Sequence, residues 1–443
     1  MNPQKYSSVR ENFMQRRYGV SLGRRYALAA ASVVLFSVLG YSQLDSNKSA
    51  LAQSSLPQPE TPLQKKTLKT DAKIVESSNK FGFKLFSELL KGDQAGKNVF
   101  ISPSSVAIAL AMTYNGASGT TQLAMAKTLE LQGLNLQEIN SSYKAALKQL
   151  LDNSDPNVQL KIANSLWANK NVSFRPDFLQ RTQDFYQAKV SNLNFQDPAA
   201  PGIINNWVKE NTNGKITEIV ETIKPSDVLF LINAIYFKGK WSQEFDKNQT
   251  AQYPFYITSG RQKLEPMMSQ NGDYRYYESK QFQAVSLPYG KDGKFSFYIF
   301  LPKQNSNLNA FYQNLNVENW EKWMTQFSQQ KGFIRLPRFK TEYDIRLNDA
   351  LKTLGMEEAF SDKANFSGMG KNFQISGVEH KTFVEVNEEG TEAAAVTSVI
   401  VGATAFEQEP VPFRMIVDRP FFCAIRDNQT GSVLFMGSII DPQ

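Results

Sequence analysis

Residues 388–397 read Glu-Glu-Gly-Thr-Glu-Ala-Ala-Ala-Val-Thr, an acidic pair, a glycine pivot and then a run of small side chains. Such a run is too poor in large apolar groups to anchor a core. Its alternate residues Thr391, Ala393, Ala395, Thr397, Val399, Val401 and Ala403 are all small or β-branched. That is what one face of a strand needs if it is to slip between two strands already in place. Taken alone, the segment fits an alanine-rich helix or a loose loop equally well, because alanine is the best helix former. The rest of the chain has to decide.

Composition narrows the chemistry. The chain has 443 residues, 41% hydrophobic and 21% charged, which is ordinary globular material. One histidine, His380, and one cysteine, Cys423, exclude any centre needing two histidines or a cysteine pair. No Gly-x-Gly-x-x-Gly, phosphate-loop or His-Glu-x-x-His pattern occurs, so neither a cofactor nor a metal is expected. Cys423 lies in the apolar run 419–425 and reads as a buried, inert thiol. The net charge of +7 is uneven: residues 1–52 hold seven basic and two acidic side chains, leaving only +2 for the remainder. That balance argues against a nucleic-acid partner.

The basic head precedes an apolar run, Tyr26 to Tyr41, and Ala50-Leu51-Ala52 offers a cleavage site. Residues 1–52 therefore read either as an export signal or as an uncleaved membrane anchor. Export would place the chain outside the cell or in a periplasm, stable without disulfides. Residues 53–72, with Pro57, Pro59 and Pro62, read as a polar tether. The folded domain is expected over 73–443. Phe81, Leu85 and Leu89 mark an amphipathic helix, and Ser104 to Tyr114 a buried one ended by Gly116 and Gly119. Segments 294–302 and 432–440 read as buried strands. Helices early and strands later favour an α+β fold.

Several segments resemble one family in unbroken order. They are Asn98-Val-Phe-Ile-Ser-Pro-Ser-Ser-Val106, Asn205 to Ile216, Leu231-Ile-Asn-Ala-Ile-Tyr-Phe-Lys-Gly-Lys-Trp241, the decamer from Glu388, and Asp418-Arg-Pro-Phe-Phe422. Together they identify residues 73–443 as similar to the serpins, the serine protease inhibitors. The resemblance implies three β-sheets, eight or nine helices, and a reactive-centre loop exposed outside a five-stranded central sheet. A target serine protease cuts that loop and forms an acyl-enzyme. Before hydrolysis the loop inserts as an added strand and displaces the bound protease. The chain would then be an inhibitor acting once, not an enzyme, and a monomer.

The resemblance also assigns residues. Glu388, Glu389, Gly390, Thr391, Glu392, Ala393, Ala394 and Ala395 match the hinge. Val396 is larger than the residue serpins often carry there, a minor departure on the outward face. Ser102, Ser105, Asn233 and His380 match the shutter, where side-chain hydrogen bonds hold the central strands. Trp241 matches the aromatic beneath the point where the loop first enters. Ordinary core packing would explain His380 and Trp241 as well. Seventeen positions counted from Glu388 reach Thr404, which puts the reactive bond at Thr404–Ala405. No Lys or Arg occurs from Ala393 to Phe413, so the expected target is elastase- or subtilisin-like and not trypsin-like, with a chymotrypsin-like enzyme using Phe406 as the alternative. The alternatives are a non-inhibitory serpin, a chaperone or ligand carrier, and an unrelated periplasmic binding protein. Before cleavage the hinge is expected outside the sheet.

Overall fold

The structure is a computed structural model that describes residues 71–91, 96–152, 155–257, 260–391 and 411–442. The chain divides into units 1–65 and 66–443, and the described residues all belong to the second.

Helix α1 (Ala72–Leu89) opens on Asp71, whose carboxylate accepts the Lys73 N–H at 2.9 Å, and buries the stripe Phe81, Leu85 and Leu89. Helix α2 (Pro103–Tyr114) is apolar all round, and all 12 of its residues are buried. Pro103 at its first turn has no N–H to leave unpaired. The two helices cross tightly: a Cβ on Gly82 would lie 2.5 Å from the Pro103 side chain. Gly116 falls in the turn after α2, as expected. Gly119 instead opens α3 (Gly119–Thr128). Helix α4 (Leu136–Leu151) starts with a reciprocal capping box between Asn135 and Glu138. Five more follow, α5 (Pro176–Tyr186), α6 (Ala200–Asn211), α7 (Leu308–Tyr312), α8 (Val317–Met324) and α9 (Asn348–Leu351), nine α-helices among the described residues.

The strands form two mixed sheets among the described residues. The six-stranded sheet has the order β10 (Phe339–Arg346), β11 (Ile375–Asn387), β12 (Gly390–Thr391), β4 (Leu229–Lys240), β2 (Val158–Asn169), β3 (Lys189–Leu193). Five of these are full strands and β12 has 2 residues. Strands β11 and β4 run parallel and pair directly up to Phe383 opposite Tyr236; above that point β12 lies between them.

The second sheet has the order β1 (Val99–Ile101), β15 (Val433–Ile439), β14 (Phe421–Asp427), β8 (Phe295–Pro302), β7 (Phe282–Pro288), β6 (Gln262–Glu278), β9 (Ser328–Pro337), β13 (Phe413–Ile416), with β5 (Ala251–Tyr256) paired to β6. Three sheets were expected. The described residues form two because β6, 17 residues long, pairs with β5 at one end and β7 at the other, joining two sheets into one.

The main core fills the space between the sheets around α2. A smaller one lies under α6, where Ile204 and Val208 cover Phe230, Ile232 and Tyr236. The expected localisation is corrected. No helix of the described residues is long and apolar enough to cross a membrane. The most uniformly apolar helix, α2, has 12 residues and spans about 18 Å, short of the ~30 Å hydrocarbon core. Residues 26–41 lie outside the described residues.

Candidate functional site

Two clusters lie along the seam between β11 and β4. The first is polar and fully buried. His380 and Asn233 face each other in register, and Asn164 on β2 is the partner of Asn233 on its other side. The N-terminus of α2 closes over this row. The Ser102 backbone N–H donates to His380 Nε2 at 3.1 Å, so Nε2 is the acceptor and the proton sits on Nδ1. His380 Nδ1 then donates to Asn233 Oδ1 at 2.6 Å. The Asn233 amide donates both protons, one to Ser105 Oγ and one to Asn164 Oδ1. Thr382 Oγ1, two residues along β11, donates to the Phe100 carbonyl at 2.6 Å.

Burial drives the His380 pKa down to about 3, against the opposing effect of its bond to Asn233. The imidazole is therefore neutral, as its acceptor role requires. The expected set is brought together, with one difference. Ser102 takes part through its backbone, and its buried hydroxyl has no hydrogen-bond partner among the described residues. Asn164 belongs to the same network and carried no sequence signal, because strand register is not visible in one sequence.

The second cluster surrounds the segment expected to be the hinge. Trp241 is buried, and its indole N–H donates to the Asn387 carbonyl at 2.9 Å while its backbone N–H donates to Glu389 O at 3.0 Å. The Glu388 carboxylate accepts from Thr250 Oγ1 at 2.7 Å and lies 3.7 Å from Arg338. The Glu389 carboxylate pairs with Lys247. Gly390 has φ +145, and a Cβ there would lie 2.0 Å from the Gly239 carbonyl oxygen, so no other residue fits.

Thr391 is 0% exposed and pairs with Gly239 on one side and Val386 on the other. This overturns the expectation of a hinge wholly outside the sheet. Gly390 and Thr391 are already inside, because Gly390 lets the backbone turn back against β4. Glu392, Ala393, Ala394, Ala395, Thr404 and Ala405 lie outside the described residues, and their assignment rests on sequence. Tyr289, missed in the sequence, lies under the hinge: its hydroxyl and Thr391 Oγ1 share a 2.7 Å hydrogen bond.

Cys423 is buried, and burial pushes its thiol pKa far above the usual range, as expected of an inert thiol. Among the described residues no group of three or more His, Cys, Asp or Glu could hold a metal ion.

Residues 76–442 match the family described as Serpin (serine protease inhibitor). Human Serpin B8 is 37% identical over 380 residues, covering 83% of this chain and 99% of that protein. Human leukocyte elastase inhibitor is 35% identical over 386 residues, covering 83% and 99%. The native-state crystal structure of tengpin, a thermophilic serpin, superposes with a TM-score of 0.78 at 34% identity, covering 84% of this chain and 95% of that one. With its family match, its order of motifs and a sheet of five full strands that holds Gly390 and Thr391 between two of them, the chain belongs to the serpin family.

Proposed function

We propose that this serpin is an inhibitory one, a suicide substrate that traps a serine protease by inserting its cut reactive loop between β11 and β4. The observation that carries the reading is the position of Thr391, seated in that seam ahead of the small-residue alternation from Ala393 to Ala403. As a serpin the chain is not an enzyme. The protease attacks the Thr404–Ala405 bond and becomes acylated. Residues from Glu392 onward then follow Thr391 into the sheet. Inserting about 16 residues at roughly 3.3 Å each makes a strand about 50 Å long, so the bound protease must travel far. A misplacement of about 1 Å in its active site already costs around 100-fold in rate.

Insertion requires the shutter to part. His380, Asn233, Ser105 and Asn164 hold the seam closed until the advancing strand replaces their strand pairing with its own. The target is elastase- or subtilisin-like, because the loop offers Val401, Ala403 and Thr404 to small, shallow pockets and no base to an acidic one. The similarity to a leukocyte elastase inhibitor supports that class.

The test is a protease panel of elastase, subtilisin, chymotrypsin and trypsin, read as SDS-stable complexes. Complexes with the first two and none with trypsin are expected. Mass spectrometry of the released C-terminal peptide should place the cut within two residues of Thr404. A loop that is cut by every enzyme without any complex would make this a non-inhibitory serpin, a chaperone or carrier.

A further inference from the structure

Tyr289 follows β7 in the second sheet, yet its side chain reaches the hinge of the first. Its backbone N–H donates to Phe295 O at 2.9 Å, and it forms an isolated bridge with Trp241. The ring is 0% exposed, stacked on Trp241 at 4.6 Å and 12°, and edge-on to Phe237 at 5.0 Å. Gly239 makes the room: a Cβ there would lie 2.7 Å from the ring. The aromatic group is thus held on three sides, with its only polar atom bonded to Thr391 Oγ1. Burial keeps the phenol neutral by raising its pKa well above the ordinary value. Gly239 therefore has two duties. It leaves space for the ring, and its carbonyl lies against Gly390, where a Cβ would approach to 2.0 Å.

In a strand, side chains alternate between faces, so the face taken by one residue decides the face of all that follow. A slip of one residue reverses the whole set. If the loop inserts behind an inward-facing Thr391, the alternation puts Ala393, Ala395, Thr397 and Val399 inward and Glu392 outward. The reverse register would turn the Glu392 carboxylate into the core, which is costly without a partner. We propose that Tyr289 is the positioning residue for loop insertion: by catching the Thr391 hydroxyl it sets the inward register before the loop is cut. This rests on the inhibitory reading above, and it goes beyond the family's hinge and shutter residues.

The experiment compares the full chain with Tyr289→Phe, Thr391→Val and the double variant. Tyr289→Phe keeps the stack on Trp241 and removes only the hydroxyl. A lost hydrogen bond of ordinary strength slows seating about fivefold, so the ratio of cleaved to trapped inhibitor should rise about fivefold with elastase. Because both single changes break the same bond, the double variant should lose no more than either one. A purely structural role for Tyr289 predicts losses that add. Hydrogen–deuterium exchange across 384–391 reads the seating directly, and both single variants should exchange faster there. Unchanged exchange and an unchanged ratio in Tyr289→Phe, or additive losses in the double variant, overturn the proposal. A wild-type chain that traps no protease sinks the inhibitory reading, while the exchange measurement still decides whether Tyr289 holds the hinge.

Discussion

His380 on β11 and Asn233 on β4 stand opposite each other in register, and their 2.6 Å hydrogen bond crosses the seam that an inserting strand must part. Asn233 donates both amide protons and accepts one there, so its removal orphans three buried partners, His380, Ser105 and Asn164. Each orphan costs about 1–3 kcal/mol. Asn233→Ala should therefore lose several kcal/mol and convert to inactive or associated forms faster than wild type. Native gels and residual inhibition followed at 37 °C would show it. A variant as long-lived as wild type would mean that the network does not hold the seam.

The same network predicts a pH dependence. An unfolded imidazole has its ordinary pKa of 6.5, and the folded one resists protonation down to about 3. Between those values the unfolded chain binds a proton that the folded chain does not. Stability is thus complete above pH 6.5 and falls as pH drops, by up to about 1.4 kcal/mol per pH unit. Glu379 and Asp344, whose pKa values burial raises, act in the opposite sense and are gained as pH falls. His380→Gln can still donate to Asn233 and accept from Ser102 without titrating. Its urea midpoint should fall less on acidification than that of wild type, and parallel curves would remove His380 as the source.

Thr391→Arg should affect both states of the molecule. Thr391 is already buried in the uncut protein, so the arginine cannot take its place without an unpaired buried charge, at a cost of several kcal/mol. The hinge should leave the seam, changing Trp241 fluorescence before any protease is added. After cleavage, insertion should lose to hydrolysis and the inhibitor should become a substrate. Wild-type trapping by this variant would contradict insertion led by Thr391.

Cleavage at the reactive bond should stabilise the protein. A strand completed by residues Glu392 to Ala403 gains backbone hydrogen bonds worth about 1 kcal/mol each. That sums to on the order of 10 kcal/mol before ordering entropy, against about 5–15 kcal/mol for a typical domain. On this reading the uncut state is held kinetically. Melting curves before and after limited proteolysis at Thr404 should differ by tens of degrees, with the cut form higher. An equal or lower midpoint would show that the loop does not insert.

Local pattern was enough for much of this chain. The spacing of Phe81, Leu85 and Leu89 marks α1, the unbroken apolar run marks α2, and both buried strands β8 and β15 lie where their composition puts them. The inert Cys423 was legible for the same reason, since its apolar run is local in sequence. Tertiary structure alone decided how the pieces meet. His380 and Asn233 are 147 residues apart, and Tyr289 and Thr391 are 102 apart. Their pairing depends on strand register and on the approach of two sheets, which no local pattern encodes. The same holds for Ser102, which acts through its backbone N–H, and for Asn164, which sits in the network only because β2 lies beside β4. The sequence by itself determined the helices α1 and α2 and the strands β8 and β15, because each is set by the pattern of its own residues. Packing between distant segments decided that Gly390 and Thr391 are already seated and what holds them there.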